Sequence, residues 1–70
     1  MNPIPVDFGN SDPDGAVRLV TRGTLEHLRS HGITLSEGLP IRMSDGEIEA
    51  EGTCTLRDGM WVAVVSRWIT

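Results

Sequence analysis

No lysine and no tyrosine occur in this chain of 70 residues, and cysteine occurs once. A single thiol excludes an internal disulfide. No apolar run approaches the ~18 residues of a membrane-spanning helix, which argues against a membrane protein. The first six residues lack the basic and continuous apolar stretches of a signal peptide, so we expect a cytoplasmic protein.

Positive charge is also scarce, with six arginines against ten acidic residues and a net charge of −4 at pH 7. Nucleic acids and anionic membranes are bound through positive surfaces, so this balance argues against both as partners. The phosphate-binding patterns GxGxxG and GxxxxGK[ST] are absent. Size and motifs together predict a protein that is not an enzyme and holds no cofactor.

The N-terminal residues 1–15 hold three of the four prolines and show little periodicity. This composition predicts a flexible arm, followed by a single small β-rich domain over residues 16–70. Ile4, Val6 and Phe8 alternate with polar or proline residues, so a short edge strand or a docked extended peptide is an alternative. Proline would confine such a strand to the edge of a sheet.

A first strand over residues 16–22 and a short helix over residues 25–31 are predicted next. Thr24 is the expected N-cap residue, because its hydroxyl can accept from an amide of the first turn. Leu25 and Leu28 are three residues apart and would give the helix one apolar side.

Glycines mark the expected reversals of the chain. Gly32 is placed to end the helix in a Schellman motif. The pairs Asp45-Gly46 and Asp58-Gly59 are typical of two-residue hairpin turns. A two-residue turn at Asp45-Gly46 would pair Met43 with Ile48. The strands that these turns connect are predicted at residues 39–44, 47–57 and 60–68.

The strand over residues 47–57 alternates between an apolar and a polar side, which predicts one buried face. The apolar side comprises Ile48, Ala50, Gly52, Cys54 and Leu56. Three carboxylates lie on the polar side, at Glu47, Glu49 and Glu51. We interpret these carboxylates as a solvated face balanced by Arg42 and Arg18, and not as a catalytic pair.

The last strand is apolar on both sides, so its sequence leaves two orientations open. A two-residue turn at Asp58-Gly59 directs Trp61, Ala63 and Val65 inward. A three-residue turn with a bulge directs the set Met60, Val62 and Val64 inward. We favour the first orientation because it places Trp61 beside Leu56 on the neighbouring strand.

In the favoured orientation, Val62, Val64 and Trp68 project from the outer side of the sheet. A contiguous apolar surface marks an interaction site, and tryptophan is enriched at binding hot spots. The sequence therefore predicts an interaction patch at these three residues. We expect Trp68→Ala or Val64→Glu to weaken assembly. Cover by the helix or the N-terminal arm is the alternative.

Three further patterns resemble parts of functional sites. Asn10–Gly15 begins like a calcium loop, but Thr21 stands where a bidentate glutamate is required, so we interpret it as a polar turn. His27 and His31 have the i, i+4 spacing of metal ligands, but we expect surface side chains without a metal. Cys54 is expected to be buried and unreactive.

Residues 17–23, the helix expected to end at Gly32-Ile33, and residues 37–48 follow one another as strand, short helix and strand with a turn. In this order they resemble AbrB/MazE-type swapped-hairpin DNA-binding domains. The resemblance implies an intertwined dimer that binds DNA. Phosphate contacts in such a complex would come from Arg18, Arg22 and Arg29.

The elements together predict an α+β, mainly β fold in the order β-α-β-β-β. Its small antiparallel sheet would curl into a partial SH3-like barrel, with one short helix as a lid. The predicted function is that of a small, non-enzymatic bacterial protein-interaction module, which forms a homodimer or binds an unknown protein. The alternative is a DNA-binding transcription or antitoxin-type regulator.

Overall fold

The computed structural model describes residues 3–69, which form one mixed sheet and one helix. The elements are β1 (Ile4–Pro5), β2 (Ala16–Arg18), α1 (Arg22–Ser30), β3 (Pro40–Ser44), β4 (Glu49–Arg57) and β5 (Met60–Trp68). The sheet order is β1-β3-β4-β5-β2, with β1 parallel to β3 and the other pairs antiparallel. The sheet curls into a half-barrel, which confirms the predicted mainly β fold with one short helix.

The two faces of the sheet differ in what they contact. The inner face holds the buried core, to which Met43, Ala50, Cys54 and Ala63 contribute. Leu28 of α1 joins this core. The outer face carries most of the charged side chains of β3, β4 and β5. Among residues 3–69, no helix has both the length and the apolar composition that a membrane-spanning helix requires.

The N-terminal segment belongs to the sheet and the core. The structure shows the edge strand that the sequence offered as an alternative, and Ile4 is fully buried beside Met43. The chain then crosses to the opposite edge, where Ser11 bridges Val17 next to β2. Residues 6–10 therefore connect the two edges of the half-barrel.

The helix begins earlier than predicted, and the strand before it is shorter. Thr21 is the N-cap residue in extended conformation, so Thr24 lies within α1 and not at its start. The Thr24 hydroxyl donates to the Pro5 carbonyl at 2.7 Å, which holds α1 against β1. This contact turns Thr24 and Leu28 towards the core and leaves Leu25 45% exposed. The predicted Leu25/Leu28 apolar side was therefore wrong at Leu25.

The end of the helix follows its sequence closely. Gly32 has a φ of +64°, a conformation that glycine adopts without steric cost. The Ile33 amide donates to the Leu28 carbonyl at 2.9 Å, and the Gly32 amide to the Arg29 carbonyl at 3.2 Å. These two bonds define the predicted Schellman motif, which is confirmed.

The turn between β3 and β4 is longer than predicted. Ser44 pairs with Glu49, so four residues connect the strands, and Met43 faces Ala50 and not Ile48. The Asp45 carboxylate accepts from the amides of Glu47 and Ile48, at 2.9 and 2.8 Å. These side-chain bonds stabilise the wider turn. The register moves by two residues, so each side chain of β4 keeps its predicted face.

The turn between β4 and β5 has the predicted length. Arg57 pairs with Met60 and Leu56 with Trp61, and both Asp58 and Gly59 have positive φ. These dihedrals are those of the type I′ turn that matches the twist of a hairpin. The favoured inward orientation of Trp61 and Ala63 is therefore confirmed.

A β-bulge interrupts the same strand pair nearer its other end. The register shifts between Glu51 and Gly52, so that Gly52 faces Val65 while Glu51 faces Arg67. Ser66 is the extra residue. One added residue reverses the face of every side chain that follows it.

Candidate functional site

The three residues of the predicted interaction patch do not form one exposed surface. Val62 is 1% exposed, whereas Val64 is 44% and Trp68 is 56% exposed. The bulge places Trp68 opposite Ala50, hence on the inner side of the sheet, while Val64 stays on the outer face. The predicted common face was wrong, because alternation cannot reveal an extra residue in a strand. A binding role for Val64 or Trp68 remains a prediction.

An ion-pair bridge explains why Val62 is buried. Arg18 on β2 and Arg57 on β4 flank β5 on either side. Both form ion pairs with the Asp12 carboxylate, Arg18 at 3.0 Å and Arg57 at 3.7 Å. Asp12 therefore spans the outer face of β5 at the position where Val62 pairs with Arg18. The N-terminal segment thus covers this part of the sheet.

The acidic residues of the calcium-like segment are engaged in the same bridge. Asp14 binds Arg57 at 2.6 Å, and Asp12 accepts two bonds from Arg18. The Ala16 amide and the Arg57 guanidinium hold the pKa of Asp14 below its usual value. These carboxylates already have cationic partners within the chain, which agrees with the interpretation as a polar turn.

The two histidines stack with ring centroids 4.0 Å apart and an interplanar angle of 21°. His31 Nδ1 lies 3.0 Å from the His27 carbonyl oxygen, and His27 Nε2 is buried with no hydrogen-bond partner among residues 3–69. Nearly parallel rings do not direct two nitrogens at one ion. Among residues 3–69, no three His, Cys, Asp or Glu side chains group as metal ligands.

Cys54 lies where the sequence placed it, on the inner face with no exposed surface. Burial raises the pKa of the thiol, and the negative charge of Glu37 raises it further. The reactive form of cysteine is the thiolate, so this environment favours a packing role.

The arginines proposed as phosphate contacts differ in their availability. Arg18 is tied to Asp12 and to the Asn10 amide oxygen. Arg22 pairs with Glu26 at 3.2 Å one helical turn away. Arg29 is exposed on α1. Intramolecular partners therefore compete with phosphate at two of the three positions.

Exposed apolar side chains gather instead where the β4–β5 hairpin turns. Leu56 is 52% exposed beside half-buried Trp61 on the inner face. The Leu19 amide donates to the Trp61 carbonyl, and continuing this antiparallel register brings Val20 beside Met60 on the outer face. Val20 and Met60 are each 37% exposed. These side chains lie on both faces of the sheet around one extremity, and we call Val20, Leu56, Met60 and Trp61 the hairpin-end surface.

Sequence reasoning assigned Leu56 and Trp61 to the core because they share its side of the strands. A residue on the inner face is buried only where another element lies over it, and the core ends before Leu56. The turn at Asp58-Gly59 was the available signal, since it showed that this pair lies at the extremity of the sheet.

No protein-family model, no curated protein and no solved structure matches this chain.

Proposed function

We propose that this chain is a small, non-enzymatic protein-interaction module that forms a homodimer through its hairpin-end surface. The observation that carries the proposal is the gathering of exposed apolar side chains at one extremity, with Leu56 52% exposed. Exposed apolar side chains gathered at one place on a small domain mark an interaction site. Trp61 supplies an aromatic side chain of the kind found at binding hot spots.

The size of the domain supports a second copy as the partner. A core of this size supplies only about 3–5 kcal/mol, and small domains are commonly reinforced by disulfides, metals or association. The sole cysteine is an unpaired thiol. Association of two hairpin ends would bury apolar surface that the chain leaves in water. A free thiol also motivates the cytoplasmic location that we propose.

The test is molar mass by light scattering over a wide range of concentration. The parent protein should form a dimer whose population rises with concentration, and Leu56→Glu should be monomeric at every concentration. Ile48→Glu is the matched control, because Ile48 is 39% exposed in the turn at the other end of β4. The two positions are about 26 Å apart along an extended strand, so Ile48→Glu should assemble like the parent.

A monomeric parent would contradict self-association. A Leu56→Glu variant that assembles like the parent would contradict the hairpin-end surface. Val64→Glu and Trp68→Ala then test the patch predicted from the sequence. Under our proposal, both variants should assemble like the parent.

A further inference from the structure

The bulge creates a cleft on the outer face that the dimer proposal does not use. It is an open cleft of about 540 Å³ across β3, β4 and β5. Its polar lining comes from Arg42, Glu51, Thr53 and Ser66. Gly52 and Ile41 contribute to its lining, and Pro40 lies at one side. Bulges commonly redirect side chains beside binding sites.

Within one row across the strands the guanidiniums outnumber the carboxylates, while Glu49 lies on the same face two residues from Glu51. The register aligns Arg42, Glu51 and Arg67 in one row on neighbouring strands of the outer face. Without the bulge, Arg67 would face Ala50 on the inner side. With the bulge, its Nη2 and Nε lie 2.7 and 2.8 Å from Glu51 Oε1. One carboxylate thus stands between two guanidiniums, and it is bonded to Arg67.

Arg42 is left without a partner in the part of the chain that the structure describes. Its side chain is half-buried in the cleft and forms no ion pair or hydrogen bond with residues 3–69. The Thr53 hydroxyl, on the adjacent strand, has no partner among these residues either. The Ser66 hydroxyl is occupied, because it donates to the Glu51 carbonyl at 3.2 Å.

We propose that this cleft binds one small oxyanion, a carboxylate or a phosphate, on the Arg42 guanidinium. The planar guanidinium donates two parallel hydrogen bonds to such a group. The Thr53 hydroxyl is positioned on the same cleft wall to donate a third. A bound anion would balance the second guanidinium of the row. The proposal does not depend on dimer formation, since the cleft and the hairpin-end surface are separate.

The experiment is an NMR titration of the full chain with sodium phosphate and, separately, sodium acetate at constant ionic strength. We expect saturable shifts of the Arg42, Thr53 and Ser66 signals, with a dissociation constant of ~1–10 mM for the preferred anion. The anion that binds more tightly identifies the source of the oxyanion. Shifts that rise linearly without saturation for both anions would overturn the proposal.

Variants separate a specific site from general attraction of anions. Arg42→Gln should abolish saturation. Arg42→Lys should weaken binding about tenfold, because lysine keeps the positive charge but lacks the two parallel N–H donors of the guanidinium. The control Arg29→Gln removes an exposed helical arginine and should leave the dissociation constant unchanged. An equal loss of anion binding in Arg42→Gln and Arg29→Gln, or unchanged binding in Arg42→Gln, would refute the site. Thr53→Val gives an independent test and should weaken binding while retaining saturation.

Discussion

The β4–β5 hairpin carries one tryptophan near each end, and the two side chains meet different surroundings. Trp61 faces Leu56 across a regular strand pair and packs against the core. Trp68 lies beyond the bulge, 56% exposed, with its ring centroid 5.1 Å from that of Phe8 in an edge-to-face arrangement. A two-residue turn determines the first position, whereas a distant segment and an extra residue determine the second.

The strand register is controlled locally at one end of the β4–β5 hairpin and by distant segments at the other. At the hairpin end, Asp58 and Gly59 adopt the positive φ values that fix the adjoining pairs. At the bulge end, the last strand accommodates the Phe8 ring and the Glu51–Arg67 pair. The first type of control acts within a few residues, and the second requires the folded molecule.

Replacing each tryptophan in turn is the strongest way to test this comparison. Trp61→Ala should lower the free energy of unfolding by about 2–3 kcal/mol, because it removes a large side chain packed on the core. Trp68→Ala should cost about 1 kcal/mol, mainly the loss of its aromatic contact. Urea denaturation at one fixed protein concentration measures both. An equal or larger loss of unfolding free energy in Trp68→Ala would show that Trp68 stabilises the fold more than its exposure indicates.

Gly52 tests how tightly the bulge end is packed. A Cβ atom there would lie 2.7 Å from the Val64 carbonyl oxygen and 2.9 Å from Met43 Cε. Backbone atoms cannot move away cheaply, so Gly52→Ala should destabilise the fold by about 1–3 kcal/mol. Thermal and urea denaturation would measure this loss.

The matched control for that variant is Gly23→Ala. Gly23 lies in α1, and its added Cβ would have no neighbour within 4 Å. Alanine restricts the unfolded chain and favours the helix, so this variant should gain about 0.5 kcal/mol. The same chemical change should thus have opposite signs at the two sites. Stabilisation by Gly52→Ala would mean that the bulge end is loosely packed.

The smallest expected effect concerns pH and the edge of β4 near the hairpin end. The Glu37 carboxylate accepts hydrogen bonds from the Thr55 hydroxyl and from the Leu56 amide, the latter at 3.1 Å. These bonds hold the pKa of Glu37 below the ordinary value of 4.5. A lowered pKa in the folded state means that this stabilisation is complete above about pH 4.5. It is lost as the pH falls further, through the lowered pKa of the folded protein.

Glu37→Gln should therefore reduce the loss of stability between neutral and acidic pH, as measured by urea denaturation along a pH series. Glu47→Gln is the control, because the Glu47 side chain forms no bond with the described residues. The Asp45 pKa is lowered by the Ile48 and Glu47 amides at the other end of β4, so part of the acid sensitivity should survive in both variants. An unchanged pH dependence in Glu37→Gln would show that its bonds do not stabilise the hairpin end.

Much of the fold followed from particular residues. Gly32 marked the end of the helix, and Asp58-Gly59 set the final hairpin. The four-residue turn at Asp45 was missed because Asp-Gly suits both turn lengths, and the side-chain bonds that select the longer one depend on the folded loop. The early start of α1 was missed because the Thr24 hydroxyl bonds the Pro5 carbonyl, nineteen residues away along the chain.

The candidate sites were less accessible to sequence reasoning than the fold. Nothing local shows that Asp12 joins Arg18 to Arg57 over Val62, since this bridge joins three segments. Alternation also cannot reveal that Ser66 is an extra residue. The extra residue places Arg67 beside Glu51, and the pair that they form leaves Arg42 unpaired among residues 3–69. The proposed oxyanion cleft depends on this bulge, whereas the hairpin-end surface lies at a turn that the sequence marks.

By itself, the sequence determined the strands β3 to β5, the face that each residue of β4 presents, the final turn and the end of the helix. These features follow from side-chain periodicity and from glycine conformations, which act over a few residues. Only the tertiary structure decided the place of Ile4 in the core, the burial of Val62, the bulge and the exposure of Leu56. Each of these depends on which distant segment lies over a given residue, and burial is a property of that arrangement.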